Sequence, residues 1–393
     1  MKSDPDRAQR IRESIQAGGL DAVLCAWPKN VLLLTGYWPI IGNSIALTDR
    51  DGRTTLIVPE DECDYIRASN ADEIVPFRAD RSTLEDVRKP LVQVLSSRNF
   101  RKIGIEFGPI SQEASYVAMT LYGSALFDLL QGIVPNAEYS HAERLLNDER
   151  AILTPFEQER VRTSAAIAQG AFEAGRAKLE DGRSERELAQ HFESPLSTLA
   201  QNYPAIIRAW GIASCMSGAR AGNAFGAFAM SSSKTVNAGE TILIHGNSHA
   251  DGFWTDITRT YFIGKRTERI SKMYEAIFEA SEHAIGAIKP GVSAASIDRI
   301  VREKLAEYGF EKQIKHSSGH GVGYSAIDHR AAPKLAKDSS DIIQEGMVMN
   351  IEPGIYFESF GGMRLCDMVL VTDKGAELLT PFQRTIKELN VNN

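Results

Sequence analysis

Cysteine is scarce in this chain, with four among 393 residues, at Cys25, Cys63, Cys215 and Cys366, and no C-x-x-C spacing between them. That pattern excludes a disulfide scaffold and a zinc finger, and it reads as mostly reduced, buried thiols. Long apolar runs are missing as well. No window approaches the roughly 18 apolar residues of a membrane span, and the charged opening MKSDPDRAQRIRESIQAGG lacks the apolar stretch of a signal peptide. A cytoplasmic protein with no membrane partner is expected. Blocks of Lys and Arg are absent too. With 44 basic and 51 acidic residues, for a net charge of −7, the chain offers no basic patch, so nucleic acid is not an expected partner. Internal repeats and low-complexity tracts are also lacking. What is present is an ordinary globular balance of 43% apolar and 24% charged residues, folded almost throughout and long enough for two domains.

The first half alternates helical and strand-like segments. An amphipathic helix from Arg7 to Gly19 closes on Gly18-Gly19, and Leu20-Asp-Ala-Val-Leu-Cys25 reads as a buried strand. Strand-like runs follow at Asn30 to Tyr37, Ser44 to Thr48, Thr54 to Val58 and Lys102 to Phe107, with Asp51-Gly52 as a hairpin turn. Around Asn147 to Pro155 the chain turns polar and launches a long helix, with Thr154 as N-cap and Pro155 at the first helical position. The expected division is therefore 1–148, a small α/β domain, and 149–393. In the second part, Ser184 and Glu187 have capping-box spacing, and helices are expected from about Glu268 to Ile288 and from Ala294 to Tyr308. Runs rich in β-branched and aromatic residues at Thr241 to His245, Phe253 to Ile263, Met347 to Glu352 and Met363 to Val371 supply a sheet, giving an α+β domain.

Four short segments of that domain hold most of the reactive side chains: Asp251-Gly-Phe-Trp-Thr-Asp-Ile-Thr-Arg-Thr260, Gly319-His-Gly-Val-Gly323, Asn350-Ile-Glu-Pro-Gly354 and Gly362-Met-Arg-Leu-Cys-Asp367. Asp256 and Glu352 sit in apolar, β-branched runs where an uncompensated carboxylate is costly to bury. His320 lies in a glycine-flanked turn that lets backbone and ligand come close. Carboxylate, imidazole and carboxylate from separate strands suit Mn, Fe, Co or Zn. Taken singly, each has an ordinary alternative: Asp256 pairing with Arg259 or Arg364, Glu352 ending a strand toward solvent, His320 as a hydrogen-bonded loop residue.

Taken in order, the four segments resemble the signature of the M24 family, which contains creatinase, prolidase, aminopeptidase P and methionine aminopeptidase. Gly19-Leu-Asp-Ala-Val and Asn30-Val-Leu-Leu-Leu-Thr-Gly-Tyr37 resemble its creatinase-type N-terminal domain. The resemblance implies a creatinase-like α/β domain followed by a pita-bread domain of two α-β-β halves. It also implies hydrolysis of a peptide or other amide C–N bond in a small substrate, with a homodimer as the common oligomer.

Metallopeptidases of that family hold two divalent ions with Asp, Asp, His, Glu and Glu. By resemblance, Asp256, His320 and Glu352 fall on the second Asp, the His and the first Glu. The first Asp position holds His245 and the last Glu position holds Cys366. Asp256 and Glu352 bring two negative charges, or three with a Cys366 thiolate, where four carboxylates balance two dications. One ion per chain is the expectation, with Cys366 as a further donor for a softer metal and His245 as a fifth ligand or a base. Cys366 as a small buried hydrophobe and His245 as a hydrogen-bonded strand residue remain the alternative. The resemblance gives His329 an oxyanion-steadying role and Arg364 a substrate-orienting one, while His249 and Asp251 read as turn residues. A metal-free, creatinase-like amidinohydrolase and a non-catalytic binding module are the competing readings.

Overall fold

The computed structural model describes residues 2–40, 44–66, 69–78, 84–96, 98–106, 124–225, 230–328 and 331–391. The chain divides into two compact units, Met1–Arg150 and Ala151–Asn393.

The first unit runs α1 (Pro5–Ala17), β1 (Ala22–Cys25), α2 (Pro28–Thr35), β2 (Ile45–Asp49), β3 (Thr54–Pro59), β4 (Glu73–Phe77), α3 (Leu84–Ser96), β5 (Lys102–Ile105), α4 (Ser124–Ile133), β6 (Glu138–His141) and α5 (Glu143–Ala151). Its six strands form one sheet in the order β4-β3-β2-β1-β5-β6. The β1–β2–β3 part is antiparallel and the flanking pairs are parallel. Apolar residues of the sheet, among them Leu24, Leu47, Ile57 and Ile103, pack with Leu91 and Val94 of α3 and Leu130 of α4 into one core.

One segment departs from expectation. Asn30 to Tyr37 reads as a strand, yet Pro28–Thr35 is a helix that opens with Pro28 in its first turn and ends on Gly36 at φ 74°. Every residue of this helix is buried. A helix surrounded by apolar neighbours shows no polar face, so its Val-Leu-Leu-Leu run carries no 3.6-residue signal to separate it from a buried strand.

The second unit contains α6 (Pro155–Arg176), α7 (Glu185–Glu193), α8 (Pro195–Leu199), β7 (Ala209–Ser217), β8 (Thr241–Ala250), β9 (Phe253–Ile263), α9 (Glu268–Ala287) and α10 (Ala294–Glu307). It continues with β10 (Val348–Ile351), β11 (Gly354–Phe357), β12 (Gly361–Arg364), β13 (Asp367–Thr372), β14 (Gly375–Leu378), α11 (Ile386–Leu389) and β15 (Asn390–Val391). The anticipated N-cap Thr154 and the anticipated Ser184–Glu187 capping box open α6 and α7, and Thr154 also forms a capping box with Glu157. No helix among the described residues is long and apolar enough to cross a membrane.

Strands group as β15-β9-β8-β7, β10-β13-β14 and β11-β12. The run from Met363 to Val371, expected as one strand, breaks at Leu365-Cys366, so that β12 pairs with β11 and β13 with β10. At the break, Cys366 exchanges backbone hydrogen bonds with Thr258 of β9, at 3.1 and 3.3 Å. Gly321 bridges to Met349 of β10. The first bridge ties the β12–β13 junction to β9, and the second lays the glycine-rich turn of His320 against β10, within a pita-bread architecture. The hairpin after β8 turns at Asp251-Gly252, and His249, expected in the turn, instead pairs with Trp254 inside the ladder.

Candidate metal centre

β9 is buried along all eleven residues, and strand alternation sends Asp256, Thr258 and Thr260 to one face and Arg259 to the other. Arg259 does not pair with Asp256. Its guanidinium is fully buried against Asp367 Oδ1 at 2.7 Å and against four carbonyls, those of Phe382, Thr258, Cys366 and Thr380. Asp367 also accepts from the Thr380 hydroxyl at 2.9 Å and from Arg384 Nε at 2.8 Å. This cluster clamps the backbone of Thr258 and Cys366 from behind and fixes the two strands that carry the site.

On the opposite face, Asp256, His320 and Glu352 converge, with one donor atom of each lying within 4.8 Å of the others. All three are buried, at 1%, 3% and 7% exposure. His320 reaches its place because Gly319 lies so close to β10 that a Cβ there would meet the Asn350 carbonyl oxygen at 2.1 Å. The His320 Nδ1 lies 3.0 Å from the Gly321 carbonyl, which only accepts, so Nδ1 carries the proton and the Nε2 lone pair faces inward. It stands 3.5 Å from Asp256 Oδ2 and 3.9 Å from Glu352 Oε1. Inward-facing lone pairs from an imidazole and two carboxylates fit a divalent cation, and the donor types suit Mn, Fe, Co or Zn.

Around the triad, Asn350 is locked by accepting the His320 N–H at 2.7 Å on Oδ1. Its amide then donates to Asp256 Oδ2 at 2.9 Å and lies 3.2 Å from His320 Nε2. Cys366 Sγ donates to the Asp256 carbonyl at 3.2 Å and lies 3.8 Å from Asp256 Oδ1. Burial, reinforced by Asp256 and Glu352, pushes its thiol well above the ordinary range, so without an ion it is a neutral S–H. His245 Nδ1 bonds Thr258 Oγ1 at 3.0 Å and stands 3.5 Å from Asp256 Oδ1. Burial and then the Arg364 charge lower its pKa to about 4. Arg364 Nε donates to the same Thr258 hydroxyl at 3.0 Å, and its Nη1 lies 3.8 Å from Glu352 Oε2. His329 lies outside the described residues.

Two further residues face Glu352 and escaped the sequence reading. His316 Nδ1, 2.7 Å from the Ser317 carbonyl, lies 3.9 Å from Glu352 Oε1, and its Nε2 is 2.9 Å from the Tyr356 hydroxyl. Burial lowers the His316 pKa, which favours the neutral ring that accepts from Tyr356. No local spacing marks Asn350, His316 or Tyr356, whose polar atoms are brought together only by the fold.

Residues 159–373 match metallopeptidase family M24, and residues 7–152 match the creatinase/prolidase N-terminal domain. The chain is 28% identical over 384 residues to an Xaa-Pro dipeptidase of Pyrococcus furiosus, covering 97% of this chain and 99% of that one. Among solved structures, the prolidase from Pyrococcus horikoshii superposes with a TM-score of 0.78 at 26% identity, covering 97% and 99% of the two chains. An Xaa-Pro dipeptidase from Bacillus anthracis shares the fold, with a TM-score of 0.80 at 22% identity and coverage of 98% and 99%.

Proposed function

Because this chain belongs to metallopeptidase family M24, we infer that it is a metal-dependent hydrolase that cleaves the C–N bond of a small peptide or amide with a single divalent ion. The observation that carries this reading is the convergence of Asp256, His320 and Glu352, three buried donors with no fourth or fifth carboxylate beside them among the described residues. These three residues would hold the ion, with Cys366 an added donor for Zn or Fe once deprotonated. A bound dication supplies Lewis acidity toward the scissile carbonyl and the attacking water.

The chain's own groups account for the remaining steps. Glu352 takes the water proton and returns it to the leaving nitrogen, with His245 as the alternative relay. Arg364, tied to Thr258 and placed beside Glu352, orients a substrate carboxylate, and Tyr356 and His316 form the wall next to it. The Xaa-Pro dipeptides named for the relatives are one case of an N-acyl amino acid, whose free carboxylate Arg364 would recognise. A homodimer is the expected assembly, to be read by light scattering.

Elemental analysis of protein purified without chelator tests the reading. One equivalent of Mn, Zn, Fe or Co per chain is expected, with metal and amide-hydrolysing activity both lost in Asp256→Ala. Two equivalents would refute the single-ion assignment. No uptake after incubation with each of the four ions would refute metal dependence.

A further inference from the structure

In the ladder of β7, β8 and β9, Ile212 and Asp256 both pair with Asn247, and Ser214 and Thr258 both pair with His245, so these six residues share one face of the sheet. Asn247 is 4% exposed, and its Nδ2 has no hydrogen-bond partner. Buried amide donors are almost always satisfied, so an orphan on the face that carries Asp256 calls for an explanation. The space beside it borders open structure: Ile212, Ser214 and His245 are half-buried, and Trp210, two residues along β7, is 39% exposed.

The charge of this corner is as informative as the free donor. Asp256 is the one carboxylate on the face among the described residues of these strands, and it already accepts from Asn350. Thr258 links His245 on one side to the Arg364 guanidinium on the other. A substrate ammonium placed here would meet an amide N–H donor and a nearby cation. An oxygen acceptor would satisfy Asn247.

We propose that Asn247, with His245 beside it, forms a subsite on the acyl side of the scissile bond that takes an uncharged hydrogen-bond acceptor and disfavours a free α-ammonium. The preferred substrate class is thus an N-acylated or hydroxyacyl amino acid rather than a dipeptide with a free amino terminus. This rests on the reading of Asp256, His320 and Glu352 as the hydrolytic centre.

Three ligands of similar size separate the possibilities: glycolyl-proline, acetyl-proline and glycyl-proline, which present a hydroxyl, a hydrogen and an ammonium at the same position. Binding is measured by calorimetry on chelator-treated protein and again with one equivalent of ion, so that the result is independent of turnover. Glycolyl-proline should bind tightest and glycyl-proline weakest, with about tenfold between neighbours in the series, one hydrogen bond's worth. Asn247→Ala should erase the advantage of glycolyl over acetyl, and Asn247→Asp should raise the rank of glycyl-proline. Each variant's thermal unfolding is recorded so that a folding defect is recognised. Glycyl-proline binding tightest to the unaltered protein, or Asn247→Ala leaving the order intact, overturns the subsite even where one ion binds. Failure of all three ligands to bind also overturns it. Failure of the ion to bind, with the ligand order kept, overturns only the hydrolytic reading.

Discussion

Replacing Asp367 by Asn removes the single negative charge that faces the buried Arg259 guanidinium. Both members of the pair are fully buried, the other hydrogen-bond acceptors of Arg259 are neutral carbonyls, and its guanidinium lies 4.6 Å from the centre of the Phe382 ring. Two unit charges about 4 Å apart at an effective dielectric near 20 interact by about 4 kcal/mol. Breaking one side of a buried pair costs about 3–5 kcal/mol, because the surviving charge stays buried without compensation. Arg384 loses less, since it is closer to solvent and keeps Glu282 at 2.7 Å. The expected loss is therefore about 4 kcal/mol, or roughly 8–16 °C in the melting temperature of a unit this size. Urea and thermal unfolding of Asp367→Asn read it directly. The damage also reaches the site, because Arg259 holds the carbonyls of Thr258 and Cys366, so affinity for the ion should fall by about tenfold or more. The paired replacement Arg259→Met with Asp367→Leu should restore part of the stability, since it leaves no orphaned charge. A loss below about 1 kcal/mol in the single variant would refute the clamp as described.

Two further outcomes follow from buried polar groups elsewhere in the second unit. Burial of Glu185 would raise its pKa, but hydrogen bonds from the Ser232 and Ser217 backbone and hydroxyls, with Arg220 Nε at 2.9 Å, override this and lower it. A lowered carboxyl stabilises the fold above its unfolded pKa of about 4.3 and loses that contribution as pH falls through the lower folded value. Glu185→Gln should therefore be less stable than the unaltered protein by about 2–3 kcal/mol at pH 7, and the gap should close below about pH 4; a gap independent of pH down to 3 would contradict it. Of the four thiols, Cys25, Cys215 and Cys366 are buried and Cys63 is partly exposed. A thiol reagent should accordingly label Cys63 alone in the native, ion-free protein and all four cysteines in denaturant, with mass spectrometry locating the label; fast native labelling of Cys366 would contradict its enclosure.

Much of this architecture was legible in the sequence because local chemistry and long-range packing agree. Thr154 with Glu157 and Ser184 with Glu187 begin helices for reasons contained within four residues. Asp256 and Glu352, each in a run otherwise fit for burial, were candidates by their misfit, and His320 was one by its glycine neighbours. The helix at Pro28–Thr35 was not legible, since complete burial removes the polar face that marks a helix. The break at Leu365-Cys366 depends on Thr258, more than a hundred residues earlier, and nothing local encodes it. Asn350, His316 and Tyr356 are ordinary residues until the fold brings their polar atoms to Asp256 and Glu352. Asn247 gains meaning only from its place opposite Asp256 in the ladder.

Asp256 and the Asn350 amide that steadies it are separated by 94 positions, and Asn350 is itself 30 positions from His320. Glu352 stands 96 positions after Asp256, so no single short segment carries all three donors. The donors converge only when β9 meets β10, so an ion held by all three would be captured after these strands have met. Supply of the ion then sets how much of the finished protein is active rather than how much of it folds.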